Sequence, residues 1–562
     1  MRRNIIFPLF SVALYLTIFR SLFFVRAFYI TDTEPSPMHI RDFVYSFPSL
    51  NGYLYNVLNL IAWNSPEKIL TIIPFIIGSI SFYFTAKHFK ASEWKAWLLS
   101  LIFMLNPGTA LIFELGDSPG ILFAYSLLPL IFWAGYNLAQ DPSPRNFFIL
   151  SGLIAMDNFV YFEGFIFSFV VLLPIVFLSK QKLKFTSYMM ISLFLGFLTE
   201  ANEELLLYMI AVPSYHVVSL NFDYFKLYYY EIGYVSLYLA IYTLLTLKQK
   251  KEVLTLNLTA FIVLTLWSLF FIDNLNIPII NAVLLTFTTF QSKMILFING
   301  LLSFSMIFIK DWKVVLLGII LLSISNYPSI YDGGMQNTAY SIITFNAKNH
   351  SVPTGLFGVE NFIYNHSKQF FYIGIPPYLI LGKTPLYSDL LPNVVEISNF
   401  SSTYLASYGI KYVVTTEKIN QANLTLVYTS GQFMVYNVDN FKSVAHSNDS
   451  YLNVSVTPYK IIVKGNGSEA YFINPSINGP SGLWNTTRNG LYLVIPMKNG
   501  IGIITNLEPK LNAELMNIDY IAIFIIVLGI IISKKSIINK LTHLFQIKVN
   551  KTIRFLRKVE KR

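Results

Sequence analysis

Twelve apolar runs, each closed by a charged or polar break, constrain this chain more than any other feature. They lie near 5–25, 68–86, 96–113, 120–139, 147–161, 163–179, 185–199, 231–247, 253–272, 292–309, 313–326 and 518–533. A helix that crosses the hydrocarbon of a bilayer needs about 20 residues. The fifth, sixth, seventh and eleventh runs fall short of that and are expected as short crossings. Hydrophobic residues make up 54% of the 562 residues and charged ones 13%, with a mean hydropathy of +0.53. A soluble core could not hide so much apolar surface. The expected class is an α-helical polytopic membrane protein with about 12 transmembrane helices.

The breaks carry a second pattern. Arg2 and Arg3, Lys87 to Lys95, Arg145, Lys180 to Lys184, Lys248 to Lys251, Lys310 to Lys313 and the final tail fall on one side if every run crosses. By the positive-inside rule that side is cytoplasmic. The opposite turns carry Asp32, Glu34, Glu114, Asp117, Asp157, Glu163, Glu200, Glu203, Glu204 and Asp273. Phe147 to Leu178 is too long for one helix and basic at both flanks, so two short helices meeting near Tyr161–Gly164 are expected. The run after Met1-Arg-Arg-Asn has no small-residue cleavage site and reads as a retained first helix. Phe43–Asn64 and Asn202–Tyr230 are aromatic and amphipathic, suited to the interface.

From 327 to 517 the continuous apolar runs stop. Short alternating segments appear, such as Lys411–Thr415, Leu424–Tyr428, Gln432–Tyr436, Tyr459–Val463 and Leu491–Ile495, with Gly, Asn, Ser and Pro between them. This reads as a C-terminal mixed α/β domain with a β-sandwich in its second half, from about 451 to 504. The stretch carries Asn-x-Ser/Thr at Asn349, Asn365, Asn399, Asn423, Asn448, Asn453, Asn466 and Asn485. Such sequons suit a glycosylated, extracellular domain, although composition alone also produces them. Asn257 and Asn550 match the motif within a helical run and the tail. The expected layout is a polytopic domain over 1–326 with about 11 transmembrane helices, an extracellular β-rich domain over 327–517, a final transmembrane helix over 518–533 and a basic cytoplasmic tail over 534–562.

Ten Lys/Arg and one Glu in that tail supply +9 of the formal +11. The basic balance is therefore a tail for anionic lipid or a topology anchor, not a nucleic-acid surface. The chain has no cysteine, which excludes disulfides, thiol catalysis and Cys metal sites. No zincin, Walker, dinucleotide or nucleophile-elbow motif is present.

The candidate chemistry sits after the first run. Asp32 and Glu34 form a D-x-E pair in a loop bounded by Pro35 and Pro37. Two carboxylates at this spacing can share a divalent metal, Mg or Mn, or divide base and metal roles; they can equally be a solvated loop. A phosphate nearby would suit Arg26, His39 and Arg41. Lys293 opens a late helix and can snorkel to headgroups or hold a lipid phosphate. Glu114 and Asp117 are secondary acidic candidates. Asp157 and Glu163 stand at helix tips, where a charge is shallow and wet; deeper, they would be functional by default. His216 reads as interfacial packing.

The plan resembles the GT-C superfamily of polytopic glycosyltransferases, with Asp32-Thr-Glu34 where those proteins carry an acid in the first outer loop. More narrowly, Tyr404–Val414, Leu424–Asn440 and the helix start Phe290–Lys293 are similar to segments of YfhO-type and related archaeal membrane proteins. The Trp-Trp-Asp-x-Gly motif of oligosaccharyltransferases is absent. The resemblance implies sugar transfer from a polyprenyl-phosphate carrier at the outer leaflet of the plasma membrane. Asp32 would then be general base or metal ligand, Glu34 its partner, and Lys293 or an arginine the phosphate holder. Membrane lipids and a polyprenyl-phosphate sugar are the expected partners. The alternatives are a non-catalytic cell-envelope scaffold and a lipid or glycolipid transporter. An apolar groove leading from the bilayer to a carboxylate would favour catalysis.

Overall fold

A computed structural model describes residues 6–24, 67–106, 109, 119–160, 164–201, 234–247, 250–269, 291–325, 354–366, 371–373, 402–407, 409–416, 418–447, 450–456, 460–473, 485–489, 492–505 and 508–533. Its first part is helical: α1 (Ile6–Ile18, continued by a 3-10 turn at Arg20–Phe24), α2 (Glu67–His88), α3 (Glu93–Met104), α4 (Pro119–Gln140), α5 (Pro144–Val160), α6 (Gly164–Leu178), α7 (Lys182–Leu198), α8 (Tyr234–Leu247), α9 (Lys251–Leu269), α10 (Gln291–Met306) and α11 (Trp312–Ser325). Pro119 and Pro144 occupy first helical positions, where the missing N–H costs nothing.

The helices pack through aromatics and are joined by polar contacts. Phe82, Phe103, Phe132 and Phe304 come from four different helices. Phe103 stacks on Tyr125 at 4.3 Å and Phe132 on Phe304 at 4.5 Å. One turn apart on α2, Ser81 and Thr85 donate to the carbonyls of Ser126 and Pro129 on α4, at 2.7 and 2.9 Å. The buried Lys95 ammonium at the start of α3 donates to Ile307 and Ile309 carbonyls, at 2.8 and 2.5 Å, just past the end of α10. A cation there is well placed against the helix dipole.

The outside of this bundle is apolar. Leu9, Phe10, Phe177, Leu183, Phe194, Leu245, Leu258 and Ile320 are all exposed. The last helix, α14 (Glu508–Ile532), holds a 20-residue apolar span, Ala513–Ile532, of which 22% is buried. Helices so apolar and so little covered belong in lipid, and the chain is a membrane protein. A helix stands at each of the twelve apolar runs. Twelve full-length crossings do not follow, because only Gly120–Gln140 and Ala513–Ile532 among the described residues are long and apolar enough to span a bilayer. The others are shorter or carry charge within their ends. The run at 147–178 resolves into α5 and α6, as its length required. The last helix begins ten residues before the expected 518. Its first turn (Glu508–Asn512) is polar, with Pro509 near the N-terminus where a proline is tolerated and a Lys510–Glu514 pair one turn apart at 4.0 Å.

The strands occupy the stretch between α11 and α14. Helices α12 (Thr354–His366) and α13 (Ser402–Ser407) accompany a four-stranded sheet. It is built of β1 (Phe371–Ile373), β2 (Ile410–Thr415), β3 (Leu424–Ser430) and β4 (Phe433–Val438) in the order β1-β2-β4-β3, with β1 and β2 parallel. A second sheet contains β5 (Ala445–Ser447), β6 (Ser450–Tyr451), β7 (Asn453–Val456), β8 (Lys460–Lys464), β9 (Glu469–Ile473), β10 (Thr487–Asn489), β11 (Tyr492–Lys498) and β12 (Ile501–Thr505). Its path is β6-β5-β9-β11-β12-β8-β7, with β10 against β11. β11 pairs with β9 over Tyr492–Pro496 and with β12 only through Met497 and Lys498. The expected sandwich is thus one continuous sheet that passes from one half to the other along β11. Ile461, Val463, Phe472, Leu493, Ile495 and Ile504 of both halves share one core. The hairpin Lys498–Ile501 turns on Asn499 (φ 51°) and Gly500 (φ 76°), the two positive φ values that a type I′ turn needs.

Two predictions follow from packing. A Cβ at Gly529 would lie 2.3 Å from the Phe148 ring, so α14 rests on α5 only because position 529 is bare. Gly529→Val is expected to cost about 1–3 kcal/mol and to lower the melting temperature of the detergent-solubilised protein. In the second sheet, His446 lies between Tyr471 (5.7 Å) and Tyr492 (5.3 Å), and burial holds its imidazole below the ordinary value. The neutral ring is the favoured form in the fold. Its contribution is full above the unfolded value of about 6.5 and is lost as pH falls through the lower, folded value. Protease resistance of the strands should drop on acidification, and His446→Phe should flatten that drop.

Candidate functional site

The helix pairings place several chain breaks at one end of the bundle. Lys95 at the start of α3 touches the end of α10, while Asn106, just after α3, meets Asn299 in the middle of α10. α3 and α10 are therefore antiparallel, and Lys293 lies at the Asn106 end. Phe7 packs on Tyr83 and Trp94, and Phe19 on Phe75, so α1 also finishes at that end. The bond from Asn158 to the Gly196 carbonyl and the contact of Gly164 with the Asp157 backbone put the α5–α6 turn and the end of α7 there as well. Charge separates accordingly. Lys87, Lys90, Lys95, Arg145, Lys180, Lys182, Lys184, Lys250, Lys251, Lys310 and Lys313 lie toward the other end, with Glu93, Asp141, Glu252 and Asp311 among them.

Asp32, Glu34, Arg26, His39 and Arg41 lie outside the described residues, as do Glu114 and Asp117. What is described is where their segments start. The 25–66 segment leaves from the end of the Arg20–Phe24 turn, and 110–118 bridges the end of α3 to α4. Lys293 stands in the first turn of α10. All three open at the same end. Of the sequons, Asn365, Asn423, Asn453, Asn466 and Asn485 are described and exposed, whereas Asn257 is fully buried and donates to Thr243 and the Val253 carbonyl. Asn349, Asn399 and Asn448 lie outside the described residues.

Asp157 departs from the sequence expectation. It is not shallow: its relative exposure is 0%. One carboxyl oxygen accepts from Ser168 Oγ at 2.8 Å, and the other has no hydrogen-bond partner. The α5–α6 turn draws it inward. A Cβ on Gly164 would meet the Asp157 carbonyl at 2.4 Å, and Asn158 Oδ1 receives the Phe165 N–H at 3.4 Å. The next helix adds Thr199 and the buried Glu200 at its end. Thr199 also lines an apolar furrow of about 450 Å³ between α5 and α14. Ile149, Gly152, Met156, Phe159, Ile523 and Ile526 are among its walls, and Thr199 is its polar member.

A second buried group was not anticipated. Asn299 Nδ2 donates to Asn106 Oδ1 at 3.1 Å, and Asn106 Nδ2 donates to Tyr125 Oη at 3.2 Å and to the Phe103 carbonyl at 2.5 Å. Asn299 Oδ1 and Ser303 Oγ, one turn apart on α10, have no hydrogen-bond partner. An amide inside the run Met294–Met306 was the available signal, since polar groups in such runs face the bundle interior. Among the described residues no three His, Asp or Glu side chains gather as a metal site.

No protein-family model matches the chain, and no curated protein does. Among solved structures it is similar to the single-particle cryo-EM structure of the arabinofuranosyltransferase AftD from Mycobacteria, over 79% of this chain and 40% of that one, at 12% identity and a TM-score of 0.44. A mutant of that protein matches over 78% of this chain and 41% of that one, at 13% identity and a TM-score of 0.45. The chain thus spans about two fifths of the length of these structures. At this identity and TM-score no activity follows from the match.

The Ser168–Asp157 bond generates a test. Ser168→Ala removes the one donor to a buried carboxyl and should cost about 1–3 kcal/mol, read as a lower melting temperature. Adding Asp157→Leu, which removes the stranded acid, should recover part of that loss.

Proposed function

We propose that this chain is a membrane glycosyltransferase-like protein that takes a polyprenyl-phosphate-linked sugar for cell-envelope glycan or glycolipid modification. The furrow between α5 and α14 carries this reading. Its walls suit a hydrocarbon chain, it is bounded by the lipid-facing α14, and Thr199 is the polar residue that lines it. A lipid-linked substrate needs both features: an apolar track for the tail, and polar groups where the head emerges. The resemblance of Asp32-Thr-Glu34 to the GT-C acid supports the same end as the reacting end. In this reading Asp32 is general base or metal ligand, for Mg or Mn, and Glu34 is its partner. Arg26, His39, Arg41 and Lys293 receive the phosphate.

The orientation belongs to the proposal. The lysine-bearing end is cytoplasmic with both termini, the membrane is the plasma membrane, and the strands with their exposed sequons are extracellular. Protease added to intact cells should cut among the strands and spare a C-terminal epitope; a cleaved C-terminal tag overturns this orientation. Glycopeptide mapping should find sugar on several exposed sequons in a host that modifies its other surface proteins, and none on Asn257.

The decisive experiment compares lipid extracts of cells carrying wild type or Asp32→Asn. Loss of a general base typically lowers a rate about 10²–10⁴-fold, while a loop carboxylate contributes little to folding. The variant should insert normally, and a polyprenyl-phosphate sugar should accumulate. Unchanged extracts would instead favour the scaffold. Altered leaflet distribution without altered composition would favour a lipid or glycolipid transporter.

A further inference from the structure

The outward face of β7, β8 and β12 has an unusual composition for a solvent-facing sheet. Pairing registers define it. Lys464 stands opposite both Asn453 and Ile501, Ile462 opposite Ser455 and Ile503, and Lys460 opposite Thr505. Ile501 is in turn opposite Lys498. Directly opposed residues share a face, so these nine side chains form one surface. The alternate residues, among them Ile461, Val463 and Ile504, are buried in the core on the other side. On the outward surface Ile501 and Ile503 are 44% and 56% exposed. They lie beside Ile462 with Lys460, Lys464 and Lys498 around them. The three strands contain no Asp or Glu.

We propose that this face is a membrane-docking surface that rests on anionic lipid headgroups. Two observations select that occupant. The first is charge and chemistry: isoleucines within a ring of lysines match an interface that is apolar beneath and anionic above. The second is position. β12 ends at Thr505 and α14 starts at Glu508. The apolar span of α14 begins at Ala513, about 7.5 Å further along at about 1.5 Å per residue. A headgroup layer is about 5–8 Å deep on each side of the hydrocarbon. The helix therefore leaves the headgroups close to where the strand ends, and the Ile503 row is the next one along the strand. The tether keeps the local lipid concentration high, so a weak contact suffices. This docking does not depend on the transfer reaction, and its failure would leave that reading untouched.

The chain has no cysteine, so a single label reports on one place. Full-length protein carrying Ile503→Cys with an environment-sensitive fluorophore is placed in nanodiscs of phosphatidylcholine, with or without phosphatidylglycerol. Lys418→Cys, exposed before β3, is the control. The Ile503 label should shift to the blue and be quenched by headgroup-level spin-labelled lipid only where phosphatidylglycerol is present. The effect should vanish near 1 M salt, where charges are screened beyond about 3 Å. Reversing Lys460, Lys464 and Lys498 to Glu should lower the docked-to-free ratio by about fivefold or more per lysine without changing the melting temperature. Equal signals in both lipids, or a shift that salt leaves intact, would overturn the proposal. A glycan found on Asn453, at the rim of the face, would overturn it as well.

Discussion

Side-chain hydrogen bonds between helices determine how this bundle is put together. Lipid tails are as apolar as leucine, so helices in a bilayer gain little from burying leucine against leucine. What selects one arrangement is the need to satisfy polar groups that lipid cannot. Ser81 and Thr85 fix α2 on α4, Lys95 fixes α3 against the end of α10, and Asn158 fixes the α5–α6 turn on α7. Each contact also sets direction. The antiparallel pairing of α3 with α10 brings Lys293 to the same end as the segments that hold Asp32 and Glu114. The location of the candidate chemistry thus depends on a few polar contacts well away from it.

Much of the layout was legible in the chain. Apolar runs located each described helix of the bundle, because a segment in lipid must close its own backbone hydrogen bonds and therefore must be helical. The described lysines at the basic breaks gather at one end of the bundle, where all but the buried Lys95 reach the surface. Alternation located β2, β3, β4, β8 and β11, and the burial pattern of β8, with Ile461 and Val463 inward between outward lysines, is that alternation seen in space. The start of α14 was not legible. Glu508–Asn512 is polar and resembles a loop by composition, yet it is compatible with a helix already propagating from the membrane.

The depth of Asp157 was not legible either. Its sequence position at a helix tip suggested water, and what buries it is a neighbour supplied by another helix. The bare Gly164 lets α6 begin against its backbone, and Ser168 then reaches the carboxyl. Such burial depends on how two helices meet, which a single run of residues does not record. The Asn106–Asn299 contact joins positions 193 apart in the chain and was hidden for the same reason, although each asparagine interrupts or follows an apolar run and was visible as an anomaly on its own.

The bare glycine at 529, where α14 rests on Phe148, has a consequence for biogenesis. Among the described elements α14 is the last to be synthesised, after every described strand. The remaining helices of the bundle can associate while the strands are still being made, but α5 keeps one flank open to lipid until α14 arrives. Chain order thus becomes assembly order. A truncation before 508 would leave a bundle with a ready helix face and no furrow, and a nascent chain stalled in the strands would be in that same state.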